Sequence, residues 1–219
     1  MNKLTKLFDH CISQIEKQIL IYPFEDRDMY CLWMSQQYFL VENSTRYLSL
    51  SASKVPTQEK EEFRDWVHHL SEELDHDLLV LKDLEKMSYS MDQVEMNPYT
   101  RAIVSTQYYD IETNGPNALL GYALMLEGLS CKVCSVLAER IDTAFGKGKT
   151  SYLRLHASVD LEHFPEGMKK ISQLNEKQTL IVQRNLVTMT ALYSSLLTSL
   201  SSQQQKDAFD GQHTALGLR

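Results

Sequence analysis

Apolar residues recur at spacings of three and four along most of the chain and strict alternation is rare, the signature of amphipathic helices rather than strands. The first repeat, Leu4, Leu7, Phe8, Cys11, Ile12, Ile15 and Ile19, predicts a helix over 3–21 that stops near Tyr22-Pro23. A second helix is predicted over 27–53, with a stripe of Tyr30, Trp33, Tyr38 and Tyr47 that reads as core. Thr57 opens TQEKEE, an acidic first turn favoured by the helix dipole, and the third helix then runs to about Met87. Residues 88–98 read as a connection, followed by a shorter helix at 99–111. The stretch DIETNGPNALLG breaks the pattern, and Pro116 suits the first turn of a long helix to about Phe145. After the loop GKGKT comes a helix carrying LRLHASVDLEH, residues 153–163, interrupted or ended near Pro165-Glu166-Gly167 with a restart at Met168. A last helix is expected over 174–201, and 203–219 reads as a loosely held tail. The expected fold is all-α: one domain over residues 1–202, a bundle of about seven helices.

Composition narrows this picture. The 219 residues carry a net charge of −7, and the basic residues are scattered singly, so no stripe stands ready to neutralise a phosphate backbone. Nucleic acid is therefore not an expected partner. The N-terminal MNKLTKLFDHCISQIEK reaches Asp9 and Glu16 before any long apolar run, and no uncharged stretch of about 18 residues occurs. A soluble cytoplasmic protein without a membrane partner is expected. Of the four cysteines, Cys131 and Cys134 form a CxxC inside a helical pattern, without the strand-then-helix setting of a redox site, and read as structural.

The chemistry sits on three helices. His156, Asp160 and His163 follow i, i+4, i+7, so one face carries all three, and taken alone the trio fits either a metal site or a hydrogen-bonded polar network. On the predicted third helix, His69, Glu72, Glu73 and His76 can share a face. Glu127 stands among Leu124, Met125, Leu126 and Leu129, and a carboxylate in such a run is costly unless a cation, a proton or a metal pairs with it. Imidazole with carboxylate favours iron, manganese or zinc over calcium or magnesium. About six ligands exceed what one zinc takes and suit two iron ions sharing a carboxylate, a common device for activating dioxygen. Tyr122 lies about 140° from Glu127 on its helix, and Tyr108, Tyr109 and Tyr152 either border a cavity or pack. Met125, Leu126, Leu129, Met189 and Tyr193 would accommodate a hydrocarbon or aromatic group and equally make an ordinary core.

On these residues the chain resembles the haem-oxygenase-like fold superfamily, and within it the non-haem di-iron oxidases that make p-aminobenzoate from a side chain, decarboxylate fatty acids or hydroxylate guanidine nitrogen. That group carries E-x6-H or E-x2-H on one helix, a lone Glu on a later one, and then H-x3-D-x2-H. Here H-x3-D-x2-H is intact as His156, Asp160 and His163, with Glu127 at a fitting distance upstream and Asp83-Leu84 after His76. His69 stands where E-x6-H would place glutamate, whereas E-x2-H is met by Glu73 and His76. The resemblance covers roughly residues 25–200. It implies metal ligands Glu73, His76, Glu127, His156, Asp160 and His163, with His69 as the alternative to Glu73, and two iron ions, the second labile if Glu73 does not turn inward; manganese suits the same donors. It further implies O2 and a small organic molecule as substrates, and a homodimer. The same fold includes TenA/THI-4 thiaminases and pyrroloquinoline-quinone synthase, which need no metal. A thiaminase would place a nucleophilic cysteine about where Glu127 stands and a glutamate near the C-terminus, yet TLIVQRNLVTMTALYSSLLTSL contains no acidic residue. A haem oxygenase would need a proximal histidine on the first helix, where His10 is the only candidate.

Overall fold

The computed structural model describes residues 3–92 and 94–215, with side chains to residue 202. Among them are eight α-helices, one 3-10 turn and no strand: α1 Lys3–Ile21, α2 Arg27–Lys54, α3 Lys60–Glu72, α4 His76–Lys86, α5 Pro98–Asn114, the 3-10 turn Pro116–Leu119, α6 Leu120–Phe145, α7 Ser151–Ile171 and α8 Glu176–Ala215. The predicted all-α bundle is thus the observed fold. The eighth helix arises because the predicted third one is broken in two.

The break falls at Glu73–Asp75 and has no glycine or proline to announce it. Asp75 takes the left-handed conformation, φ 67°, which aspartate tolerates better than most side chains. The chain turns there, and α4 sets off with His76 in its first position. Pro165, expected to interrupt or end its helix, instead lies inside α7, which continues to Ile171. Proline leaves the Leu161 carbonyl without its usual partner, and Leu161 is exposed, so water can take that place. α8 continues to Ala215, past the expected end at residue 201; of the expected tail, the side chains of 203–215 and residues 216–219 lie outside the described residues.

α6 is the central element. It packs on α1, α7 and α8, and its partnership with α7 is the most extensive in the molecule. The stretch Pro116–Phe145 is long and apolar enough to cross a membrane by composition, but 67% of its most apolar window is buried inside the bundle. Glycine permits the closest approaches: a Cβ at Gly121 would lie 2.6 Å from the Leu186 backbone nitrogen of α8, and one at Gly128 would lie 2.8 Å from the Phe164 ring of α7. At the far end of the pair, the buried carboxylate of Asp83 on α4 accepts the Tyr152 backbone N–H at 2.9 Å, capping the first turn of α7. These contacts set the rotation and the axial position of α7 against α4 and α6, and with them the direction in which its histidines face.

Candidate metal centre

Four helices, α3, α4, α6 and α7, bring the predicted residues to one place. Two groups form there, each with donor atoms that all lie within 4.8 Å of one another: His69, Glu73 and His163, and Glu73, His76 and His156. Glu73 belongs to both. Glu73 and His69 are therefore not alternatives, since the residue just past the end of α3 and one a helical turn before it both turn inward. The break after Glu73 makes this arrangement: it lets His69 serve one group and His76 the other, with Glu73 between them.

The carboxylates hold the histidines. His76 Nδ1 lies 3.2 Å from Glu73 Oε2, and His156 Nδ1 lies 3.1 Å from Asp160 Oδ2. The other oxygen of Asp160 lies 3.6 Å from His163 Nδ1. Asp160 thus faces the Nδ1 atoms of both α7 histidines, which leaves each Nε2 turned away from it, and His156 Nε2 is buried without a partner. Glu127 approaches His69, Oε1 to Nε2 3.8 Å, and its Oε2 is likewise buried and unpartnered. Asp160 and Glu127 stand beside the two groups rather than within them. Glu72, grouped with its neighbours by helix register alone, reaches over the rim to 3.6 Å from His163 Nε2.

The electrostatics follow from this crowding. Burial drives the Glu127 carboxyl up to about 8, with the Asp160 charge adding to the effect. Burial also works on Asp160, but its bond to His156 and the nearby His163 imidazole win and hold it at about 2. The Asp160 carboxylate beside it lifts His163 to about 9. Glu73 is held below its ordinary value because His76 and the other nearby imidazoles outweigh its burial, whereas burial lowers His69. A set of imidazoles and carboxylates this dense, with Glu127 Oε2, His156 Nε2 and His163 Nδ1 buried and without a hydrogen-bond partner, fits a metal centre of nitrogen and oxygen donors.

A cavity of about 110 Å3 opens beside the groups, with His69, Glu73, Glu127, His156 and Asp160 in its wall. Leu126, Leu129 and Tyr193 line it as well, whereas Met125 and Met189 are fully buried in the core. Tyr152 borders it with its ring 4.6 Å from that of His156. Tyr122 borders it too, with a buried, unpartnered hydroxyl. Although Tyr122 lies about 140° from Glu127 around α6, both border the cavity, which is reached from more than one face of that helix. Tyr108 bonds Asn43 instead, and Tyr109 is exposed. His10 is exposed on α1 and lines no part of the cavity. Burial raises the Cys131 and Cys134 thiols to about 11 and about 12, which suppresses thiolate chemistry.

Helices and site together define a haem-oxygenase-like protein with a histidine and carboxylate centre. The profile of the family described as "iron-containing redox enzyme", a haem-oxygenase-like family, matches residues 31–192, and the chain belongs to that family. Comparison with curated proteins found no match. Among solved structures, a domain of unknown function with a haem-oxygenase-like fold from Shewanella denitrificans is similar at TM-score 0.81, with 16% identity over 94% of each chain. A TenA homologue from Pseudomonas syringae pv. tomato gives 0.77 at 12% identity over 91% of each chain. A TenA homologue from P. horikoshii gives 0.70 at 13% identity, covering 90% of this chain and 97% of its own. At such identities these likenesses carry the fold alone.

Proposed function

We propose that the protein is a non-haem iron oxidase or oxygenase that binds two iron ions and uses O2 to attack a small organic substrate. The observation that carries the reading is the position of Glu73 in both donor groups: one carboxylate between two sets of imidazoles is the arrangement two neighbouring cations need. His76 and His156 would hold one ion with Glu73. His69 and His163 would hold the other with Glu73, and the unpartnered Glu127 carboxylate beside His69 would join them. Iron bound there supplies the electrons that reduce dioxygen and so the oxidant for the substrate.

The chain's own residues prepare the site. Glu73 is ionised, and His69 is neutral with a lone pair to give. Asp160 orients His156 and His163 through Nδ1. Glu127, protonated below about pH 8, keeps a proton at the edge of the cavity and releases it when a cation arrives. The apolar walls exclude water from the side where a substrate would approach.

One observation favours a second reading, a metal-free binding protein: the His76–Glu73 and His156–Asp160 contacts already satisfy part of the cluster. Metal analysis after purification without chelator, then anaerobic Fe(II) loading and exposure to O2 in an absorbance spectrometer, separates the two. About two irons per chain with a new absorbance band after O2 are expected. No iron bound at excess Fe(II) would sink the oxidase reading and leave the second.

A further inference from the structure

The doublets His68-His69 and Glu72-Glu73 make two His-x3-Glu pairs side by side at the end of α3, offset by one residue and so by about 100° around the helix. The inner pair, His69 and Glu73, belongs to the donor groups. The outer pair sits on the rim. His68 Nε2 lies 3.5 Å from Glu72 Oε1, and the other oxygen, Oε2, lies 3.6 Å from His163 Nε2. Glu72 therefore stands between an imidazole of the surface and one of the centre. Exposure falls along this file, from 74% of the His68 side chain through 36% of Glu72 to 16% of His163, and the His76 and His156 side chains lie deeper still, at 10% and 12%. Neither Glu72 contact is short and directed enough to be a hydrogen bond, so the lone pairs are not spent on one another. Two donors that each lie about 2.1 Å from one cation are roughly 3–4 Å apart, and both separations fall in that range. The atom Glu72 faces is Nε2, the nitrogen of His163 turned away from Asp160. The organic cavity reaches the centre from another side: His69, Glu73, Glu127, His156 and Asp160 stand in its wall, but neither Glu72 nor His163 does.

We propose that His68 and Glu72 capture a hydrated divalent transition-metal ion at the surface, and that Glu72 passes it to His163, the point of entry to the group of His69, Glu73 and His163. This rests on the reading of the cluster as a metal centre. His68, Glu72 and His163 do not converge on one point as the donor groups do, so the ion uses Glu72 with each imidazole in turn. The transfer is an exchange of ligands: the Glu72 carboxylate stays on the ion while His163 takes the place of His68, and waters leave as Glu73 and His69 close on it. A group that acts only on this path speeds ions inward and outward alike. Its loss changes rates and leaves the final occupancy as it was, which separates it from a ligand of the centre and from a residue that merely holds the fold.

The test follows Co(II) uptake by the chelator-treated full chain in a stopped-flow absorbance instrument, and Co(II) release when the loaded chain is mixed with excess chelator. Glu72→Gln and His68→Ala are each expected to slow uptake by about tenfold and release by the same factor. The number of ions bound at equilibrium should be unchanged, and their affinities should stay within about threefold of those of the unsubstituted chain. The slowing by Glu72→Gln should shrink as salt is raised, because part of the capture is attraction by an exposed charge. Glu61→Gln is the control: Glu61 lies on the same helix, about 16 Å away along its axis and paired with Arg64, and its loss should leave uptake unchanged. Uptake at the unsubstituted rate in either test variant, or equal slowing by Glu61→Gln, overturns the entry route and leaves the metal centre standing. An ion lost at equilibrium in Glu72→Gln makes Glu72 a ligand of the centre and overturns the route as well. An unsubstituted chain that takes up no Co(II) removes the metal-centre reading itself, and the entry route with it.

Discussion

The Glu73 carboxylate meets His76 Nδ1 at 3.2 Å across the break between α3 and α4, so the acid just past the end of one helix and the first imidazole of the next act as a pair. Because Glu73 also belongs with His69 and His163, it should be the residue whose loss is felt twice. Glu73→Gln is expected to abolish or weaken binding of both metal ions. His69→Ala and His76→Ala should each remove one and spare the other. Titration with Mn(II), followed by metal analysis after desalting, checks the stoichiometry. One tightly held ion remaining in Glu73→Gln would show that the two groups do not share that carboxylate.

The break itself carries a conformational cost. Asp75 sits at φ 67° with no side-chain cap bond to α4, and a non-glycine residue there costs about 1 kcal/mol. Asp75→Gly should raise the melting temperature slightly and leave metal stoichiometry unchanged. A β-branched residue is worse suited to this conformation, so Asp75→Val should lower both stability and metal affinity.

Asp160 and the ligand candidates should respond differently. Asp160 bonds the Nδ1 atom of His156 and faces that of His163 at 3.6 Å, and residues in that position tune ligands rather than supply them. Asp160→Asn is expected to weaken metal binding by about tenfold with the stoichiometry retained. A lost ion in that variant would make Asp160 itself a ligand.

The helices were legible in the sequence because burial on one face imposes a spacing of three or four, and α1 was bounded correctly by its apolar repeat and Pro23. The break before His76 was not legible, because Asp75 turns the chain without glycine or proline and the surrounding spacing continues as if nothing happened. The same break explains why His69 and Glu73 looked like rivals for one position. Along a single unbroken rod they sit one turn apart in one file, but beside the turn Glu73 joins His69 in one group and His76 in the other. The part of α2 in the cavity wall was not legible either: Trp33 and Tyr47 read as core, and they are buried as core residues are, but which buried side chains border a cavity is a property of three-dimensional packing.

In the metal-free protein, stability should fall as pH rises. Folded Glu127 keeps its proton to about 8 while the unfolded group loses it near 4.5, so over that window the folded state binds more protons and loses stability with each step upward. His163, lifted from 6.5 to about 9, acts in the same direction over its own window. Asp160, lowered from 3.8 to about 2, acts oppositely, and its contribution is lost only as the pH falls through that range. Melting of chelator-treated protein should therefore decline from about pH 5 to about pH 9, and Glu127→Gln should flatten the lower part of that decline. Metal replaces protons at both groups, so loading at pH 7 should release about two protons per chain, measurable as buffer-dependent heat in calorimetry. A melting temperature that rises over this range would contradict the burial of Glu127 as a neutral acid.

The close approach of α6 to its neighbours at Gly128 ties packing to the centre. A Cβ there would lie 2.5 Å from Ile12 Cδ1 and 2.8 Å from Phe164 Cε2, and Gly128 and Phe164 adjoin Glu127 and His163. Alanine is the better helix former by about 1 kcal/mol, yet overpacking costs about 1–3 kcal/mol, and here two side chains from two helices must move. Gly128→Ala should therefore lower the melting temperature. It should also loosen metal binding, because the displaced Phe164 ring shifts α7 relative to Glu127. Gly167→Ala offers the comparison: its Cβ would lie 2.1 Å from Leu124 Cδ2 and its nearest contacts are all with that one side chain, so one side chain rather than two has to give and its loss of stability should be smaller. Paired melting curves and Mn(II) titrations of the two variants decide the matter. Equal losses in both, or an unchanged metal affinity in Gly128→Ala, would mean that the spacing of α6 and α7 at this point does not set the geometry of the centre.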